Sequence, residues 1–316
     1  MIAERIRLEL TGSNQSAYAL AASPRFAADG ICFAATSGGL YRSADGGEAW
    51  ELLRVTDKAA PQMAATALAV SPIFNQDGMV FVAVKGGILR SSDGGDTWFA
   101  ATFPAPPPLF TTLVISPNFE QDALMLAGTM EDGVFSSTDR GVNWKPWNFG
   151  LFDLGVLCLA PSPHLQEDET IVAGTETGLY RSTNGGRAWR ECGFPGEFAP
   201  ILSLAYLAVR DETLLFAGTE DNGLFISGDD GANWDRSAPD ALAGAVNQLQ
   251  TLYLPDGRAE VYALAEDGVL RSRDAGQNWD CLVETDVPPT AILVTAPSAE
   301  AMFLGLTGKG IFQYEL

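Results

Sequence analysis

The chain has 316 residues, 47% of them hydrophobic, with 19 Lys and Arg against 40 Asp and Glu and a net charge of −21. That apolar content supplies a large core, while the charge argues against a polyanionic partner. Phosphate recognition works through Lys and Arg that release counterions, so neither nucleic acid nor an anionic membrane surface is expected.

The acidity by itself requires no more than solubility. The first residues, Met1-Ile2-Ala3-Glu4-Arg5-Ile6-Arg7-Leu8, hold no uncharged apolar run, so no signal peptide is expected and the location is read as cytoplasmic. No segment reaches the roughly 18 apolar residues of a membrane span, so no membrane insertion is expected. Cys32, Cys158, Cys192 and Cys281 show no Cys-x-x-Cys spacing and fall at different phases, which suggests neither zinc nor a disulfide framework. No cofactor and no metal are expected.

Taken in chain order, the predicted elements repeat. Glu4–Leu10 alternates charge with aliphatic side chains as a strand, and Tyr18–Ala21 is a short inner strand. Six copies of one turn pattern follow, at 43–50, 91–98, 137–144, 182–189, 227–234 and 272–279. The second reads Ser91-Ser92-Asp93-Gly94-Gly95-Asp96-Thr97-Trp98. Each copy ends in a tryptophan, at Trp50, Trp98, Trp144, Trp189, Trp234 and Trp279, so the spacings are 48, 46, 45, 45 and 45. A period in this range marks stacked supersecondary units that share a core.

The fourth unit shows the content of each: apolar Val156–Ala160, then Thr170–Thr175, a tight Glu176-Thr177-Gly178 connection, Leu179–Ser182, the turn, and a strand from Trp189. Four short antiparallel strands per unit make a β-propeller blade. A seventh unit runs from 290 to 316 with three strands and no turn motif. The expected fold is all-β: a single seven-bladed propeller domain over 1–316, its last blade completed by residues 2–10, which removes two exposed strand edges.

A second signature links the first two strands of the early blades. It is Ser23-Pro24 to Asp29, Ser71-Pro72 to Asp77, Ser116-Pro117 to Asp122 and Ser162-Pro163 to Asp168. Proline fixes the turn, and the Phe or Leu after it can pack beneath the loop. From the fifth blade on, this connection shortens.

The turn acids are Asp45, Asp93, Asp139, Asn184, Asp229 and Asp274. Each can accept bonds from nearby backbone N–H groups, while the glycines permit the positive φ of a tight reversal. One or two carboxylates per copy fall short of the six to eight oxygens calcium takes, so these residues and the tryptophans are read as structural.

The copies resemble the Asp-box, or BNR, repeats of sialidases, sortilin-type receptors and a photosystem II assembly factor family. They are still more similar to bacterial repeat proteins of the form Gly-Leu-Tyr-Arg-Ser-Thr-Asp-Gly-Gly-x-Thr-Trp, matched here by Gly39–Ser43 and Gly178–Ser182. The resemblance implies the propeller; for activity it is open, since enzymes and binding proteins share the repeat.

The sialidase relatives imply a three-arginine clamp, a Tyr-Glu nucleophile pair and an acid Asp. Their early Phe/Tyr-Arg-Ile-Pro string is missing here, and Arg42, Arg90, Arg181 and Arg271 recur at one repeat phase on separate blades and cannot converge. Related xyloglucan-cleaving enzymes place their cleft between two propellers, and this chain holds one. His164, the single histidine, occupies the recurring Ser-Pro turn, so a histidine-dependent triad is not expected.

The expected function is therefore a non-catalytic binding or assembly module for a protein or peptide, acting as a monomer or as a subunit of a larger complex. The alternative is a glycan-binding or glycoside-hydrolase propeller. Recognition is expected on the face opposite the turns, where blades 3 to 6 place Glu131, Asp132, Glu176, Glu220, Asp221, Glu266 and Asp267. The crossings beside them offer Phe110, Trp147, Phe149, Phe152 and Phe198. Aromatic anchors beside acids suit a basic or amphipathic peptide.

Overall fold

The structure, a computed structural model, describes residues 5–8, 15–54, 64–104, 106–195, 199–209, 212–237, 241–254, 256–295 and 301–316. They form seven four-stranded antiparallel sheets, a seven-bladed β-propeller. Six blades use four consecutive strands, as in blade 4: Val156–Pro161, Ile171–Thr175, Leu179–Ser182 and Arg190–Cys192. In the seventh, Pro289–Val294, Ala301–Leu306 and Gly310–Glu315 are joined by Arg5–Leu8, whose backbone pairs in register with Ile311–Tyr314. The ring is closed by its own N-terminal strand, as expected.

Composition follows position within the blade. The second strands of blades 1 to 4, such as Val80–Val84, are buried along their whole length because a neighbouring blade covers each face, and they read as largely apolar runs. The innermost strands meet a different constraint, since one of their two edges faces the central channel with no strand to pair with. At the five joints from blade 2 to blade 7, side chains of the preceding blade fill that role. The hydroxyls of Thr66, Thr111 and Ser203 donate to the carbonyls of Phe110, Val156 and Val246, and the Cys158 thiol donates to Ile201. Between blades 6 and 7 the side-chain amides of Gln248 and Gln250 each donate to and accept from one residue, Ile292 and Val294, at 2.7–3.0 Å. Glycine on the second strand leaves room for this: a Cβ on Gly218 would lie 2.3 Å from Ser203 Oγ.

The six turns share one bonding scheme. In the second copy the buried Ser91 hydroxyl donates to Asp93 Oδ1 and accepts the Gly95 N–H, while Asp93 Oδ1 also accepts the Thr97 N–H. Asn184 Oδ1 takes the same two bonds in the fourth copy. Two consecutive residues have positive φ. The first tolerates a side chain, as at Arg140, Asp230 and Ala275, whereas the second is glycine in every copy. Its φ is one reason, near +97° at Gly47 and +99° at Gly95. The other is contact: a Cβ on Gly47 would lie 2.3 Å from the Phe303 ring of the preceding blade, and one on Gly141 would lie 2.6 Å from Phe81.

The Ser-Pro loops are built just as locally. Ser71 donates to Asp77 Oδ2, and Asp77 Oδ1 accepts the Met79 N–H around a single helical turn, Phe74–Asp77. Phe74 and Phe119 are buried, meeting the rings of Phe33 and Phe81 on the blade before. The backbone N–H groups of Gly46, Gly94, Arg140 and Gly185 donate to the Ser-Pro loop of their own blade, which puts loops and turns on one face. The recurring arginines also serve the ring: Arg42 and Arg181 reach carbonyls of the next blade's turn, Gly94 and Asp230.

Two outcomes follow. Removing residues 1–10 leaves the Ile311–Tyr314 edge unpaired, and thermal unfolding should shift down by several degrees or more; a melt unchanged by the deletion would refute closure by this strand. The second concerns acid. The Asn233 side-chain amide, with the Asn233 N–H and the Ser227 hydroxyl, holds the Asp229 carboxyl down at about 2. A folded value below the unfolded one adds stability above about pH 4 and loses it as pH falls towards the folded value. Asp229→Asn should therefore melt below the parent at pH 6, and the two should converge near pH 2. A gap that persists or widens on acidification would contradict this.

Candidate binding face

The connections between second and third strands lie with the blade crossings on the face opposite the turns. Hydrogen bonds tie each connection to its crossing: Met130 N–H to Leu109 O, Gly133 N–H to Leu154 O, Glu176 N–H to Gly155 O and Glu220 N–H to Pro200 O, all at 3.0–3.1 Å. In blades 1, 3, 4 and 5 a threonine closes the hairpin from inside. Thr36, Thr129, Thr175 and Thr219 donate their hydroxyls to Gly39, Gly133, Gly178 and Gly223. This role was readable in the Ala-Thr or Gly-Thr that precedes these four connections, yet sequence reasoning passed over it.

On these hairpins Glu131, Asp132, Glu176, Glu220, Asp221, Glu266 and Asp267 are all exposed. Among the described residues none of their carboxylates takes a hydrogen bond or ion pair. They follow the rim over four successive blades and do not meet at one point. Asn148 stiffens the blade 3 hairpin by accepting the Val134 N–H and donating to Asp132 O.

Asp153, which sequence reasoning missed, fixes the neighbouring crossing. One oxygen accepts the Gly155 N–H, and the other accepts both the N–H and the hydroxyl of Thr177. Burial pushes this carboxyl up, but the Thr177 hydroxyl and the backbone donors outweigh it and hold it below the usual range.

The aromatic candidates divide. Phe149 and Phe152 are 81% and 86% exposed. Between them Gly150, at φ +80°, lies so near Trp189 that a Cβ would sit 2.2 Å from its carbonyl oxygen, and Leu151 is buried as the anchor. The crossing thus presents both rings to solvent from a fixed backbone. Leu109, Met130 and Leu154 are exposed too, and their backbone bonds place them at the blade 3 connection that carries Glu131 and Asp132.

Phe110 is not part of it. It is 4% exposed and packs on Phe103 and Phe135, because it opens an inner strand and points between blades. Trp147 also turns away: its ring lies against Gly186 of the fourth turn with Lys145 and Arg187 over it at 5.4 and 5.6 Å, and its carbonyl accepts the Trp189 indole N–H. Phe198 lies outside the described residues.

No family model and no curated protein sequence matches the chain. Solved structures match it as a fold. The extracellular domain of a putative one-component system from B. thetaiotaomicron superposes with a TM-score of 0.75 at 13% identity, over 98% of this chain and 40% of that one. A GH74 xyloglucanase from Xanthomonas campestris gives 0.73 at 18% identity, over 98% of this chain and 53% of that one. YCF48 bound to D1 peptide gives 0.69 at 18% identity, over 99% of this chain and 96% of that one. The chain thus spans about two fifths of the first and half of the second.

Identities this low establish the propeller and nothing finer. The fold occurs in hydrolases and in other propellers alike, and no relative among them establishes the BNR repeat family. Its occurrence in an extracellular domain overturns the cytoplasmic placement expected from the chain's first residues.

Proposed function

We propose that the chain is a ligand-binding propeller that takes an apolar, basic segment of another protein on the crossing face of blades 3 and 4. The observation that carries this reading is the rigid display of Phe149 and Phe152 beside Leu109, Met130 and the unpaired carboxylates of Glu131, Asp132 and Glu176. An exposed apolar patch with a charged rim is what a partner surface presents. The excess of acid would steer a Lys- or Arg-bearing segment towards it. On the same reading the Ser-x-Asp turns are Asp-box staples that hold the blades.

A second reading draws the wider support from the comparisons, since GH74 enzymes recur among the structures with this fold. There the Phe pair would stack on sugar rings, and the rim acids would accept sugar hydroxyls. If the chain is catalytic, glycoside hydrolysis is the reaction class. That chemistry needs one carboxyl held protonated beside a second that is ionised. The displaced carboxylates are displaced downward, Asp153 on this face included, which favours binding over cleavage.

Panning a phage-displayed peptide library on the protein, with a glycan array and aryl glycosides in parallel, separates the two. Peptides joining aromatic or aliphatic residues with Lys or Arg should be enriched, and Phe149→Ser/Phe152→Ser should weaken their binding about tenfold or more. Array binding or turnover that this double variant abolishes, with no peptide enriched, would replace the protein reading with the glycan one. Enriched peptides that bind parent and variant equally would overturn the site.

A further inference from the structure

The face that carries the turns also holds a mouth of the central channel, and there the blades are unequal. Blades 1 to 4 join their first two strands through the Ser-Pro loop. In blades 5 and 6 these strands instead run on as longer arms, Ile201–Val209 with Glu212–Thr219 and Val246–Tyr253 with Ala259–Ala265. Between these arms and the loops of blades 2 to 4 lies a cavity of about 540 Å³. Pro72, Pro117, Pro161 and Pro163 line it from the loops, Tyr206 and Tyr253 from the arms.

Its chemistry sets it apart from the rest of the surface. Although the chain carries 19 Lys and Arg and 40 Asp and Glu, none of the described residues that line the cavity is charged. Most hydrogen-bonding side chains on the wall are already committed. Ser116 donates to Asp122, Thr251 donates to Tyr206 O, and the Gln250 amide is bound to Val294. Tyr253 differs: its phenol oxygen accepts the Ala208 N–H at 2.6 Å, and among the described residues no acceptor takes its own proton. The same bond ties the two arms together, so the wall is formed in advance.

We propose that this cavity binds a neutral, predominantly apolar small molecule, with a hydrogen-bond acceptor met by the Tyr253 hydroxyl. The volume lies in the range that ordinary ligand pockets occupy. An ion settling on this open wall would lose part of its hydration and find no counter-charge among the described lining residues, whereas an uncharged apolar body covers apolar surface. The proposal is independent of the crossing face, which lies at the other end of the ring.

The probe is N-phenyl-1-naphthylamine, a neutral dye that fluoresces in apolar surroundings. It is compared with 8-anilino-1-naphthalenesulfonate, which has the same rings and one negative charge. Salt of about 0.5 M screens the chain's overall acidity. The neutral dye should bind saturably at one site and the sulfonate about tenfold more weakly or worse. Ala205→Trp, which fills the cavity, and Ile115→Lys, which charges its wall, should each abolish binding; the second variant carries the test if the first does not fold. Phe149→Ser/Phe152→Ser should leave it unchanged. No saturable binding, equal binding of both dyes, or binding that survives the cavity variants would overturn the proposal, as would loss of binding in the phenylalanine variant.

Discussion

Each innermost strand of this ring has a hydrogen-bonding edge that its own blade cannot satisfy, and the molecule answers with side chains borrowed from the blade before. Backbone groups left unpaired away from bulk water are costly. A threonine, serine, cysteine or glutamine reaching across the joint both removes that cost and locks the angle between blades. Two joints depart from the scheme: among the described residues no side-chain bond links Ala17–Ala22 of blade 1 to Ala65–Val70 of blade 2, and at the joint from blade 7 to blade 1 Thr290 Oγ1 finds no partner. Other bonds hold the joint from blade 7 to blade 1: the pairing of Arg5–Leu8 with Ile311–Tyr314, the Gly310 N–H to Gln15 O and the Gly308 N–H to Ser16 Oγ.

Once blade angles are fixed at the axis, the outer parts follow. The second glycine of each turn settles against a ring or aliphatic side chain of the preceding blade, and the Phe after the Ser-Pro pair does the same from the loop. Blades 2 to 7 are thus held to one another at the channel and again at the rim. The remaining freedom lies in the crossings and in the first hairpins. It is there that the blades differ: Phe149 and Phe152 stand out on the crossing face, and the arms of blades 5 and 6 border the open cavity on the turn face.

The fold was largely legible because its determinants are local and repeat. The Trp spacing gave the unit, the alternation in Glu4–Leu10 gave the closing strand, and the Ser-x-Asp-x-Gly order gave the turn. Contacts between blades were not legible. The glycine at 47 reads as a φ requirement, and nothing beside it in sequence says that Phe303 fills the space its Cβ would need. Phe110 and Phe149 both sit in aromatic crossings with identical side chains. Only the strand that begins at Phe110 and the backbone pinch at Gly150 decide that one points inward and the other outward. The arms of blades 5 and 6 were read as shortened connections because the Ser-Pro motif ends there; in fact the strands lengthen and the turn between them tightens, which is how the cavity arises.

The account rests most heavily on the side-chain bridges at the axis, and the pair at the joint of blades 6 and 7 isolates them. In Gln248→Leu/Gln250→Leu the shape of both side chains is nearly kept, while the N–H and C=O groups of Ile292 and Val294 lose their partners. Urea unfolding with amide exchange read at those two residues is the direct measurement. The bridges predict a loss of at least about 2 kcal/mol and faster exchange at Ile292 and Val294. An unchanged midpoint with both amides still protected would contradict the account.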